Sequence, residues 1–175
     1  MENVTVVFDG GYLELSTKYT THIRRNNGRV SKTIIPSSFS SITVKKNEFL
    51  LNPHKKQAFL LMLGDAISKS GINVKHANGD ADIDIIARAL NISKEHQTTV
   101  IGEDNDLLII ILHHFDSIIH KPVFLYSNIS KTSYDIKQSK LLLGNKLSEL
   151  ALVLHALCGC DTKSKLHSMG AKTIL

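Results

Sequence analysis

Cysteine is nearly missing from these 175 residues: only Cys158 and Cys160 occur. Two thiols separated by one residue are too close for a relaxed disulfide and too few for a zinc site, so neither staple is expected to hold the fold. They read better as small apolar residues at a helix end. No run approaches the roughly 18 unbroken apolar residues that a membrane span requires. The opening Met-Glu-Asn-Val-Thr-Val-Val-Phe lacks the basic head and cleavage site of a secretory signal, so an intracellular, reduced protein is expected. Internal repeats and low-complexity tracts are absent too. Serines and histidines are plentiful, yet none forms a recognisable nucleophile motif. His113, His114, His120 and His155 lack zinc-ligand spacing.

What is present suits one domain spanning 1–175. The apolar content, 42%, is enough for a sizeable core. The net charge is +5, and five of the ten aspartates are gathered in two short clusters, at 80–84 and 104–106. An acidic spot on a basic body fits a polyanionic partner such as nucleic acid. Scattered surface lysines on an ordinary soluble protein would give the same total.

Apolar periodicity and turn residues predict strands at 4–8, 72–76, 98–101 and 123–126. Helices are predicted at 53–70, from about 81 to 90, and at 107–114, 139–143 and 147–157. Residues 12–53 are basic at first, then rich in Ser and Thr, and are expected to form an arch or loop. Alternating strands and helices imply an α/β fold with a mostly parallel sheet covered on both faces.

In such sheets ligands gather beyond the carboxyl ends of the strands. Asp9 follows the first predicted strand, Asp80 and Asp82 the second, and Asp104 and Asp106 the third. On the helix after the second strand, Ile83, Ile86, Ala87 and Leu90 form the expected buried stripe. Asp80 and Asp82 then lie on its two shoulders, and Asp84 faces outward with Arg88 four residues on, as support. One aspartate at a helix start is explained by capping. Paired acids at two helix starts, together with Asp9, exceed that need, and like charges so close repel unless a cation neutralises them. Oxygen donors select hard divalent ions, so Mg²⁺ or Mn²⁺ is expected. Metal-bound carboxylates on a basic protein suggest phosphodiester hydrolysis, in which two ions can activate water and stabilise the leaving oxygen. A small-substrate phosphatase is the rival reading. Phe8-Asp9-Gly10-Gly11, however, lacks the second aspartate that a phospho-aspartate mechanism uses.

Four motifs in order, Val7-Phe8-Asp9-Gly10, Gly79-Asp80-Ala81-Asp82, Gly102-Glu103-Asp104-Asn105-Asp106 and Gly159-Cys160-Asp161, resemble those of the flap-endonuclease and XPG-like 5′ nucleases. These belong to the PIN-like superfamily, and animal proteins with a PIN-like domain look most similar. The resemblance implies a three-layer α/β/α sandwich and two-metal cleavage of nucleic acid, DNA more than RNA, in the nucleus. It assigns Asp80, Asp82, Asp104, Asp106 and Asp161 to the ions, with Asp9 in or near that shell. Lys18, Arg24 and Arg25 fall where the family has a basic helical arch that meets substrate. Residues 158–175 look like the start of the family's helix–two-turn–helix, where Lys165, Gly170 and Lys172 would contact duplex phosphates. The family has an earlier strand ending in its own metal-binding aspartate, before Val7-Phe8-Asp9-Gly10, and a longer final element. By that comparison the chain reads as a fragment truncated at both ends. The missing acid keeps a second reading open, an inactive PIN-like module that binds nucleic acid or protein.

Overall fold

The computed structural model describes residues 4–10, 45, 49–50 and 52–158. They form a mixed α/β arrangement of five helices and two small, mostly parallel sheets, divided between two compact units, 1–81 and 82–175.

In the first unit, strand β1 (Thr5–Phe8) pairs in parallel with β2 (Asn73–His76), Thr5 opposite Asn73 and Phe8 opposite His76. The connection between them carries helix α1 (Pro53–Lys69), which packs on β2. This helix starts where its sequence says it should. The Asn52 side chain accepts from Lys55 N at 3.1 Å, and Pro53 occupies the first turn, where its missing N–H costs nothing. Gly71, at φ 85°, then supplies the left-handed residue that turns the chain into β2. The Phe8 and His76 rings stack at the carboxyl end of the strand pair with centroids 5.3 Å apart.

The second unit begins one residue into helix α2 (Ala81–Ser93), continues through β3 (Thr98–Ile101) and helix α3 (Asn105–His114), and reaches β4 (Val123–Ser127). A short turn leads to β5 (Thr132–Asp135), followed by helices α4 (Ile136–Leu143) and α5 (Asn145–Cys158). The sheet order is β3-β4-β5, with β3 and β4 parallel and β5 antiparallel. Four residues between β4 and β5 leave no room for the crossover that a parallel pair needs, so the orientation follows from the turn length. Ile86, Ala89, Val100, Leu107, Ile111, Leu112, Phe115, Val123, Leu125 and Ile136 form its core. Helices α2, α3 and α4 thus share one apolar centre with the sheet.

Three expectations need correction. The strands form two sheets rather than one among the described residues; the pairing is mostly parallel, as expected, with β5 the antiparallel member. Strand β5 was not expected, because Thr-Ser-Tyr-Asp has one apolar residue and lies on an exposed edge. The buried stripe of α2 is also rotated from the expected one. Ile83 is 69% exposed and Ala87 is exposed, whereas Ile86 and Ala89 are buried and Ser93 is fully so. The short alternating run Ile83-Asp84-Ile85-Ile86 permits several apolar faces, and packing on the core selects the one through Ile86 and Ala89.

Candidate metal centre

The rotated stripe determines where Asp82 points. Asp82, Ile86, Ala89 and Ser93 follow one another at i, i+4, i+7 and i+11, so Asp82 continues the buried face by one turn. Its carboxylate is half-buried.

Asp104 and Asp106 are placed by the exit from β3. Gly102 N donates to Tyr126 O at 3.1 Å, extending the β3–β4 pairing by one residue. A Cβ on Gly102 would run into Leu107 Cδ1, so a larger residue there would have to displace the Leu107 side chain. Asp104 is extended (φ −87°, ψ 134°) and caps α3, its Oδ1 accepting from Asp106 N at 3.0 Å. A carboxylate has two oxygens, so capping and ion binding are compatible.

One carboxylate oxygen from each of Asp82, Asp104 and Asp106 lies within 4.8 Å of the other two. Donors around one six-coordinate ion with bonds of ~2.1 Å stand about 3–4 Å apart, so small side-chain rotations would bring these three onto one cation. An all-oxygen, anionic donor set fits Mg²⁺, Mn²⁺ or Ca²⁺ in chemistry and suits no soft metal. Exposed acidic groups of this kind also occur without an ion.

Two neighbours of the group have roles that the sequence did not show. His155 Nε2, on α5, lies 2.7 Å from Asp106 Oδ1, with both side chains about three-quarters buried. Glu103, between Gly102 and Asp104, does not join the three carboxylates. Its Oε2 accepts from Ser127 Oγ at 2.6 Å, and its Oε1 from the backbone N–H of Asn128 at 2.7 Å and of Ile129 at 3.1 Å. These bonds, the Ser127 hydroxyl foremost, hold the Glu103 carboxyl below its ordinary pKa of 4.5. The acid next to the candidate ligands therefore ties the β4–β5 turn to the end of β3. Neither role was legible, since the partners stand 24 to 49 residues apart in the chain.

The remaining predicted residues are placed differently. Asp9 and Asp80 belong to the first unit and are not members of the three-carboxylate group. Asp9 Oδ1 accepts from Ala81 N at 3.2 Å, the capping role that an aspartate near a helix start can fill. Beside it, Gly10 N donates to Gly79 O at 2.8 Å, and a Cβ on Gly10 would lie 2.0 Å from Ala77 O. Asp80 immediately precedes α2. Asp161, Lys18, Arg24, Arg25, Lys165, Gly170 and Lys172 lie outside the described residues.

Comparison with family models, curated proteins and solved structures gives no match. No helix among the described residues is long and apolar enough to cross a membrane.

Proposed function

We propose that the chain is a divalent-metal-dependent nuclease domain of the PIN-like, flap-endonuclease type, with Asp82, Asp104 and Asp106 holding Mg²⁺ or Mn²⁺. The supporting observation is the meeting of three carboxylates from two helix starts within 4.8 Å. Three negative groups at that spacing repel one another, and a divalent cation between them converts the repulsion into attraction. A bound ion of this kind can activate water and stabilise the leaving oxygen of a phosphodiester. The chain's own part is to fix the three oxygens: Asp82 through the buried face of α2, Asp104 through its cap, and Asp106 through the first turn of α3. A second ion, phosphate contacts from Lys18, Arg24 and Arg25, and a three-layer α/β/α fold complete the proposal. DNA is the proposed substrate, in keeping with the net charge of +5.

One observation favours a second reading, an inactive PIN-like module that binds nucleic acid or protein. Among the described residues only three of the expected acids come together, and Asp9 is engaged with the backbone of Ala81. Incubation with Mn²⁺ and labelled flap, bubble and single-stranded DNA separates the two. Cleavage that Asp104→Ala abolishes supports the nuclease; retention of these substrates with no cut product at any Mn²⁺ concentration supports the module.

A further inference from the structure

The contact between His155 and Asp106 joins the last described helix to the candidate ion ligands across 49 residues of sequence. An ionised carboxylate can only accept, so Nε2 must carry the proton and donate it in this contact. At 2.7 Å the bond is short enough to be charge-assisted, and three-quarters burial of both side chains keeps water from competing for it.

The position of the imidazole is itself built. Helix α5 packs against α3. On the side shared with His155, two turns earlier, stands Ser148, which is fully buried with its hydroxyl donating to Gly144 O at 3.0 Å. Leu152 shares that side, whereas Leu147, Leu150 and Leu157 of the same helix are 39–51% exposed. A histidine therefore occupies the packed side while several leucines face outward, the reverse of what burial of apolar area alone would select. His155 touches Asp106 but is not itself a member of the three-carboxylate group.

We infer that His155 is a positioning residue for the ion site: its Nε2–H pins one oxygen of Asp106 so that the carboxylate meets Asp82 and Asp104 in a fixed orientation. The inference rests on the proposed reading of the three aspartates as ion ligands. Without the pin, the carboxylate of Asp106 turns about its last bond, and each ion captured must pay to order it. Outer-shell hydrogen bonds to ligands act in this way in metal proteins.

Mn²⁺ binding to the full chain, followed by the loss of the free-ion electron paramagnetic resonance signal, tests it. His155→Phe keeps the ring volume and removes the donor, while His155→Gln places an amide N–H near the lost Nε2. Mn²⁺ affinity should fall by about 10–100-fold in His155→Phe and stay within about threefold of the parent in His155→Gln. A purely structural role for the ring predicts the opposite ranking. Should the Phe variant fail to fold, His155→Ala relieves any crowding and is read in the same way. Parental or tighter Mn²⁺ binding in the donorless variant overturns the inference and leaves the three-aspartate site standing. Equal weakening in Gln and Phe also overturns it, because the imidazole would then be needed for more than its N–H. A parent chain that binds no Mn²⁺ removes the ion site and this role of His155 together.

Discussion

Ser127 donates its hydroxyl to Glu103 at 2.6 Å, so the residue ending β4 is bound to the residue preceding the candidate ion ligand Asp104. With the backbone N–H groups of Asn128 and Ile129 on its other oxygen, Glu103 fastens a turn that includes Lys131 at φ 55°, a conformation unfavourable for lysine.

Removing that carboxylate should loosen the turn before it touches the core. In Glu103→Ala the Asn128 and Ile129 amides are expected to exchange with solvent faster than in the parent, while the amides of α3 keep their protection. Hydrogen exchange resolved by residue checks this. Unchanged protection at both turn amides would show that the turn does not depend on Glu103.

Asp104 is assigned two tasks, and two substitutions separate them. Asp104→Asn keeps an oxygen to accept from Asp106 N but loses the charge, whereas Asp104→Ala loses both. Thermal unfolding should show Asp104→Asn close to the parent and Asp104→Ala lower by ~1 kcal/mol, the usual value of an N-cap. Both should lose Mn²⁺ affinity in a binding titration. Equal stability of the Ala variant and the parent would remove the cap from the account; undiminished Mn²⁺ binding in the Asn variant would remove the ligand.

A side chain at Gly102 is expected to cost stability. The added methyl of Gly102→Ala meets Leu107 Cδ1, and Leu107 is buried in the core, so either the leucine or the β3–α3 connection must shift. Overpacking of this kind costs about 1–3 kcal/mol. A denaturant midpoint equal to the parent's would mean that the connection adjusts freely and does not hold Asp104 and Asp106 by close packing.

Acid should weaken the fold in two stages. Partial desolvation, with lesser contributions from the neighbouring His113 and Lys140 charges, lowers the pKa of the largely exposed His114 below its ordinary 6.5. The unfolded chain therefore takes up this proton first, and stability falls as pH drops below 6.5 towards the folded value. Glu103 titrates below 4.5 in the folded chain, so its contribution is complete above 4.5 and is lost as pH falls through that lowered value. His114→Gln should flatten the upper part of a plot of thermal midpoint against pH and leave the lower part in place. An unchanged upper slope would assign that acid sensitivity to other groups.

Legibility followed the physical origin of each feature. Strand β3 coincides with the expected 98–101 because Thr-Thr-Val-Ile is β-branched throughout and ends at glycine. Helix α1 was legible from Pro53 and Gly71, whose backbone restrictions act locally. Strand β5 was illegible because its pairing comes from its neighbour β4. Its exit did carry a local sign, since Asp135 Oδ1 accepts from Gln138 N at 3.0 Å to cap α4. The aspartates after β3 were found from their position at a strand end. The direction of Asp82 was not, because the face that α2 buries depends on the core it meets. The roles of His155 and Glu103 arise only when the folded chain brings distant residues together.

Diffraction from crystals of the chain soaked in Mn²⁺, recorded at the manganese absorption edge, tests the central claim most directly. The account predicts an anomalous peak within bonding distance of carboxylate oxygens from Asp82, Asp104 and Asp106. Full soaking without a peak there, with the three side chains ordered and turned apart, would contradict it.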